Sequence, residues 1–328
     1  MTDEQMKFGG MSMANLWGLV KAAVNAWVDD YAASMGAALS YYTVFSLAPM
    51  LLIVIAIAGL VFGAEAAQGQ IFGELRGIFG DDTASSIEAL LVSVSKPAEG
   101  MVAAVVGVAV LLLGATSVFG ELQDALDRIW RAPARQPSLG MWGLLRARLL
   151  SFGMIFGLAF LLMVSLVFGA LVTAMGTWWG GLFENPLGGW ELVLQGVNLV
   201  IGFVLTTAVF AMIYKLMPRV RVHWHDVWLG AVVTALLFTL GKFLIGLYIG
   251  KTGVASAFGA AGSLVVVLIW VYYSAQIFLL GAEFTWAYAL AFGSMRPSGA
   301  SSAEGAVTPA AAVAAVAAMP AAADPPSR

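Results

Sequence analysis

The chain has 328 residues, of which 61% are hydrophobic and 11% charged, with a formal net charge of -3 and no cysteine. Soluble domains carry roughly 45–50% apolar and ~25% charged residues, so an ordinary water-soluble fold is excluded; without cysteine, so are disulfides, thiol catalysis and cysteine-based metal sites. The weakly acidic balance lacks the clustered basic domain that would point to nucleic acid.

Residues 1–36 read as a cytoplasmic N-terminal segment. Trp17, Val20, Val24, Trp27 and Tyr31 recur at three- and four-residue steps, while Lys21, Asn25, Asp29 and Asp30 take other directions. That spacing predicts an amphipathic helix along the membrane interface, or equally one packed on the bundle. Residues 37–292 form the transmembrane domain, with six apolar runs over Ala38–Phe62, Met101–Phe119, Leu149–Met175, Leu192–Leu216, Val227–Ile249 and Ala261–Ala291. A crossing needs about 20 apolar residues. The runs are continuous rather than alternating, which excludes a β-barrel, and the mean hydropathy is +0.90. The fold class is therefore all-α: a polytopic membrane protein with six transmembrane helices and short amphipathic helices at its interfaces.

The loop over residues 63–100 is too long for a turn. Ile71, Phe72, Leu75, Ile78 and Phe79 form one helical stripe; Ile87, Leu90, Leu91 and Val94 form another. Gly80-Asp81-Asp82-Thr83 between them has turn and N-cap chemistry. Two short helices are expected to cover the outer face. Residues 293–328 turn to Ala, Pro, Ser and Gly and read as a disordered cytoplasmic tail.

Lys and Arg alternate between the connections. Lys7, Lys21, Arg128, Arg131, Arg135, Arg146, Arg148, Lys215, Arg219, Arg221, Arg296 and Arg328 fall on one side, against Arg76, Lys96 and Lys251 on the other. Basic side chains resist translocation, so both termini are expected in the cytosol. Most tryptophans lie near span ends, as in an interfacial aromatic belt.

Few residues offer chemistry. His223 and His225 stand in Val222-His223-Trp224-His225-Asp226, but Val227 and Trp228 occupy the places where a binuclear hydrolase motif has Asp and His. No catalytic, cofactor or metal site is read. Polar residues inside or beside the spans are the better candidates, because ionisable groups in hydrocarbon are costly and face protein or water. Glu121, Gln123, Asp124 and Arg128 cluster at the end of the second span, where Asp124 and Arg128 have helix-pair spacing. Glu283 lies in the cytoplasmic half of the sixth and is placed to meet Arg128, Arg146 or Arg148. Lys242 either snorkels outward or faces the bundle near Tyr272, Tyr273 and Gln276. Pro49 removes a backbone hydrogen bond from the first span, a candidate kink.

Three segments resemble the YihY/BrkB family of bacterial inner-membrane proteins. They are Ala37-Ala38-Leu39-Ser40-Tyr41-Tyr42-Thr43 through Pro49, Gly114-Ala115-Thr116 through Leu122-Gln123-Asp124-Ala125-Leu126-Asp127-Arg128-Ile129-Trp130, and Gly259-Ala260-Ala261-Gly262-Ser263 through Gly281-Ala282-Glu283. The resemblance covers about residues 14–292. It implies six transmembrane helices with cytoplasmic termini in the bacterial inner membrane. It also implies links to serum resistance or envelope lipid traffic, and it carries a historical ribonuclease BN label.

Three functions follow in order. The first is a transporter or flippase-like protein for an envelope lipid or amphipathic solute, expected to turn Glu121, Asp124 and Glu283 toward a hydrated cleft. The second is a non-transporting envelope-assembly scaffold, expected to close the same residues in structural ion pairs. The third, a membrane ribonuclease, lacks a metal or acid–base site and a cationic surface for RNA. Membrane lipids are the expected partners; a homo-oligomer stays open, and no nucleic acid is expected.

Overall fold

In lipid a long apolar segment must satisfy its own backbone, which a helix does. The computed structural model describes residues 13–79, 81–94, 101–133, 189–252 and 261–295, with isolated positions 153, 157, 160 and 258. All regular structure among them is helical: α1 (Met13–Asp29), α2 (Ala32–Phe62), α3 (Ala64–Phe79), α4 (Asp81–Val94), α5 (Met101–Ile129), α6 (Gly189–Leu216), α7 (Trp224–Thr252) and α8 (Gly262–Ala291).

Four segments are long and apolar enough to cross a membrane: Ala32–Leu60, Gly196–Leu216, Trp224–Ile249 and Gly262–Ala291. They correspond to the first, fourth, fifth and sixth runs of the sequence. The third run, Leu149–Met175, lies almost wholly outside the described residues, as do residues 1–12 and the tail beyond Met295. The second run forms the first two-thirds of α5.

α8 is the hub, packing on α7, α2 and α1, while α2 also packs on α5 and α6 on α7. The α7–α8 seam shows why these helices approach closely. Thr234 Oγ1 donates to Gly230 O at 2.7 Å on α7, and Thr285 Oγ1 donates to Gly281 O at 2.7 Å on α8. Each threonine sits against the glycine of the other helix, so a Cβ on Gly230 would strike Thr285 and one on Gly281 would strike Thr234. Two Gly-x3-Thr steps thus interlock reciprocally, with the hydroxyls turned onto their own backbones. Tyr214 of α6 completes the seam, its hydroxyl donating to Phe278 O at 2.7 Å and lying 3.1 Å from Thr234 Oγ1.

α1 reaches α8 through Leu19, Ala22, Ala23 and Ala26, all buried. Small side chains on that stripe let the two backbones come near. The aromatic stripe picked out by the sequence points elsewhere: Trp17, Val20, Val24 and Tyr31 are exposed. α1 therefore has a packed face and a second, outward apolar face.

The chain reverses after α2 at Gly63, whose φ of 87° favours glycine. α3 then runs back along α2, and α4 joins it. Phe72, Leu75, Ile87 and Leu91 bury themselves against Leu51 and Ile55 of α2 and Val267 of α8. These two helices thus pack on α2 and on the first part of α8. Pro49 sits inside α2, whose helix continues through it, and its ring lies against Gly114 of α5.

Candidate functional site: a buried carboxyl pair beside an arginine

Glu283 is fully buried, and neither of its carboxylate oxygens meets a donor among the described residues. It is held there by α8, whose residues from Gly281 to Leu290 are all buried. Asp30, at the α1–α2 break and 6% exposed, is a second buried acid whose charge acts on Glu283. Asp30 Oδ1 accepts from Arg131 Nη1 at 2.7 Å, while Asp30 Oδ2 is buried without a donor. The Arg131 guanidinium lies 5.4 Å from the centre of the buried Trp286 ring, a cation–π contact. Three chain segments far apart in sequence thus meet at one end of the bundle.

The backbone there is unusual. Tyr31 (φ 57°) and Arg131 (φ 50°) are the two non-glycine residues with positive φ among the described residues. Such conformations cost roughly 1–2 kcal/mol each for an L residue. One adjoins Asp30 and the other carries the guanidinium, so the ion pair and both left-handed turns form one structural unit. A buried carboxylate without a donor costs several kcal/mol more than a satisfied one. Strain and an unsatisfied acid at one spot mark a place where local stability yields to another requirement.

The other sequence candidates have different surroundings. Asp124 does not pair with Arg128: it lies 3.5 Å from Arg219 Nη2, and Arg128 is exposed. Arg219 also binds Asp127, through Nε at 3.1 Å and its backbone N–H at 2.8 Å. A guanidinium from the α6–α7 connection, presented together with a backbone donor, outcompetes the weak same-helix pairing. Gln123 Nε2 donates to Met217 O at 3.0 Å, tying the same connection to α5. Glu121 lies two residues past Phe119, where the span is read to end. Its partial burial, and then the Asp124 carboxylate, raise it above the ordinary carboxylate value.

The charges that act on Glu283 are those of Asp30, Arg131 and Asp29 rather than Arg128; Arg146 and Arg148 lie outside the described residues. Lys242 is exposed, its Nζ 5.6 Å from the Phe238 ring centre. Gln276, two turns before Glu283 on α8, donates to Ala32 O at 3.3 Å and fills the space left by Gly36. His225 is exposed, and its Nδ1 lies 3.8 Å from Asp226 Oδ1. Asp226 is buried and serves the far end of α8, accepting from Ser294 N at 3.1 Å and Ser294 Oγ at 2.6 Å.

Asp30 and Arg131 are the residues that sequence reading missed. In the sequence Asp30 falls on the polar face of its predicted helix, and Arg131 bears only on topology. A signal existed in Asp30, which ends an apolar-periodic segment just before the first span and so lies near the membrane boundary.

Toward the opposite end of α8 lies a small, largely apolar cavity of about 70 Å³. Val44, Leu47 and Ala48 of α2, Ile87 of α4, and Leu264 and Val267 of α8 line it, with the hydroxyls of Thr83, Ser86 and Ser263.

Long apolar helices locked by small residues, with a charged cluster buried at one end, define a helical integral membrane protein. The chain belongs to the Virulence factor BrkB family, whose model matches residues 23–306. It is similar to the UPF0761 membrane protein of Verminephrobacter eiseniae (strain EF01-2), 27% identical over 78% of this chain and 58% of that one. The UPF0761 membrane protein of Pseudomonas aeruginosa (strain LESB58) is 29% identical over 78% of this chain and 59% of its own. That of Rhodospirillum centenum is 28% identical, over 82% and 56%. The chain thus spans under three-fifths of the length of these relatives. Their names state a membrane protein and no catalytic activity. No solved structure matches the chain.

Proposed function

We propose that the protein is a transporter or flippase-like protein of the bacterial inner membrane, moving an envelope lipid or amphipathic solute. In this reading six helices cross the bilayer and both termini face the cytosol. The observation that carries it is Glu283, a fully buried carboxyl inside a helix of membrane length with no donor on either oxygen among the described residues. Ionisable residues in spans are costly and mark substrate or ion pathways. A group needed only for packing is better served by an apolar residue of similar volume.

A second reading, the envelope-assembly scaffold, is favoured by one feature. Asp124 and Asp127 close on Arg219, as a purely structural cluster would. Envelope lipid and solute distribution, compared between cells lacking the protein and cells carrying Glu283→Gln, separates the two. Transport through Glu283 predicts that the variant accumulates normally yet resembles the deletion. A variant that restores the wild-type distribution refutes the role of that carboxyl.

A further inference from the structure

We propose that the outward face of α7, with Lys215 and Arg221 beside its first turn, is a binding site for an anionic phospholipid. The cations take the headgroup phosphate and the helix face takes an acyl chain. Trp224, Trp228, Val232, Leu236, Leu240 and Leu244 recur every four residues along α7, and all six are exposed. The opposite face packs into the bundle, with Val227, Ala231, Thr234 and Ala235 buried. From Trp224 to Leu244 the helix rises about 30 Å, the thickness of the hydrocarbon core. The stripe is therefore long enough to lie beside acyl chains from one side of the bilayer to the other.

The start of the stripe differs in chemistry from the rest. Its two indoles, with ring centres 6.4 Å apart, stand at the first turn of α7. An exposed indole there keeps its ring in hydrocarbon and its N–H toward headgroup oxygens. Lys215, from the end of α6, is held over Trp224: its Nζ donates to Val222 O and lies 5.6 Å from the Trp224 ring centre. Neither contact cancels the ammonium charge, and a lysine has two further donors to offer. Arg221 precedes Val222, is exposed and has no partner among the described residues. The acids on the adjoining elements are engaged elsewhere: Asp226 is buried and accepts from Ser294, while Asp124 and Asp127 of α5 close on Arg219. Charge complementarity thus selects an anion, and the apolar stripe that begins beside it selects one bearing a hydrocarbon chain. Inorganic phosphate would use the cations and leave the stripe uncovered. A second copy, related by a two-fold axis along the membrane normal, would bring the same cations together.

This goes beyond the transport reading and needs no movement of a cargo, so the two fail separately. Tryptophan fluorescence of the purified full-length protein, in bilayers of mixed composition, reports it through phospholipids brominated on their acyl chains. Brominated phosphatidylglycerol should quench at a lower mole fraction than brominated phosphatidylcholine, and Trp224→Phe/Trp228→Phe should remove the difference. Lys215→Gln/Arg221→Gln should remove it too, each cation accounting for about fivefold, with the phosphatidylcholine curve unchanged. Arg221→Gln alone carries the test should loss of the Lys215–Val222 bond unfold the protein. Equal quenching of wild type by the two lipids, the outcome also expected if a second copy covers the stripe, overturns the proposal. A preference undiminished in Arg221→Gln does the same. So does its loss in sodium phosphate but not in sodium chloride of equal ionic strength, which would assign the cations to free phosphate.

Discussion

Removing the Arg131 guanidinium should expose how the buried acids are held. Arg131→Gln keeps the Cβ, so the left-handed backbone at φ 50° is unchanged and the charge effect is isolated. The substitution deletes the 2.7 Å charge-assisted bond to Asp30 and the contact over Trp286. Hydrogen bonds to charged groups contribute about 1.5–3 kcal/mol, and breaking a fully buried pair costs about 3–5 kcal/mol. Arg131 is 40% exposed, so solvent screens part of the interaction. A loss of about 2–3 kcal/mol is expected. Unfolding in mixed micelles with increasing dodecyl sulfate measures it.

The sharper test is a double-mutant cycle. Glu283→Gln removes the second buried acid, so Asp30 without Arg131 is then spared its charge. Arg131→Gln should therefore cost less in the Glu283→Gln background, with a coupling of about 0.5–3 kcal/mol. Additive losses in this cycle would refute the view that the three residues act as one cluster.

Gly281→Ala should destabilise by about 1–3 kcal/mol through overpacking against Thr234 and Tyr214, and Thr234→Ala should recover part of that loss in the same unfolding assay. Asp226→Ala removes both bonds to Ser294 from a buried acceptor and should cost about 2–3 kcal/mol, with faster proteolysis after α8. Lys242→Met should leave stability unchanged or raise it by at most about 3 kcal/mol, because the ammonium is exposed on a span and, among the described residues, has only an aromatic ring beside it. Reconstituted variants run through the same micelle titration decide each case.

What the sequence revealed follows from the range of the interactions involved. Apolar runs and Gly-x3 spacings are local signals, and four of the six predicted crossings appear among the described residues as helices of membrane length. The three quoted motifs were enough to place the chain in its family. Glu283 was legible because an acid among Leu279, Leu280, Phe284 and Trp286 stands out by composition. Its partners were not: Asp30 and Arg131 are joined to it only by the fold, and neither positive-φ turn carries the Gly or Asn that would announce it. The Asp124–Arg128 pair failed for a related reason. Same-helix spacing gives a few tenths of a kcal/mol, and Arg219 supplies both a guanidinium and a backbone donor to the same stretch of α5. The stripe of α1 that packs is built from alanines, which a search for large apolar residues passes over.

Transbilayer movement in proteoliposomes tests the central claim most directly. Vesicles holding the purified protein and fluorescently labelled phosphatidylethanolamine are treated with a membrane-impermeant quencher, and the protected fraction is followed. The account predicts that wild-type protein reduces that fraction below the half retained by protein-free vesicles, and that folded Glu283→Gln does not. Equal loss of protection with wild type and Glu283→Gln, or protection by wild type equal to that of empty vesicles, would contradict it.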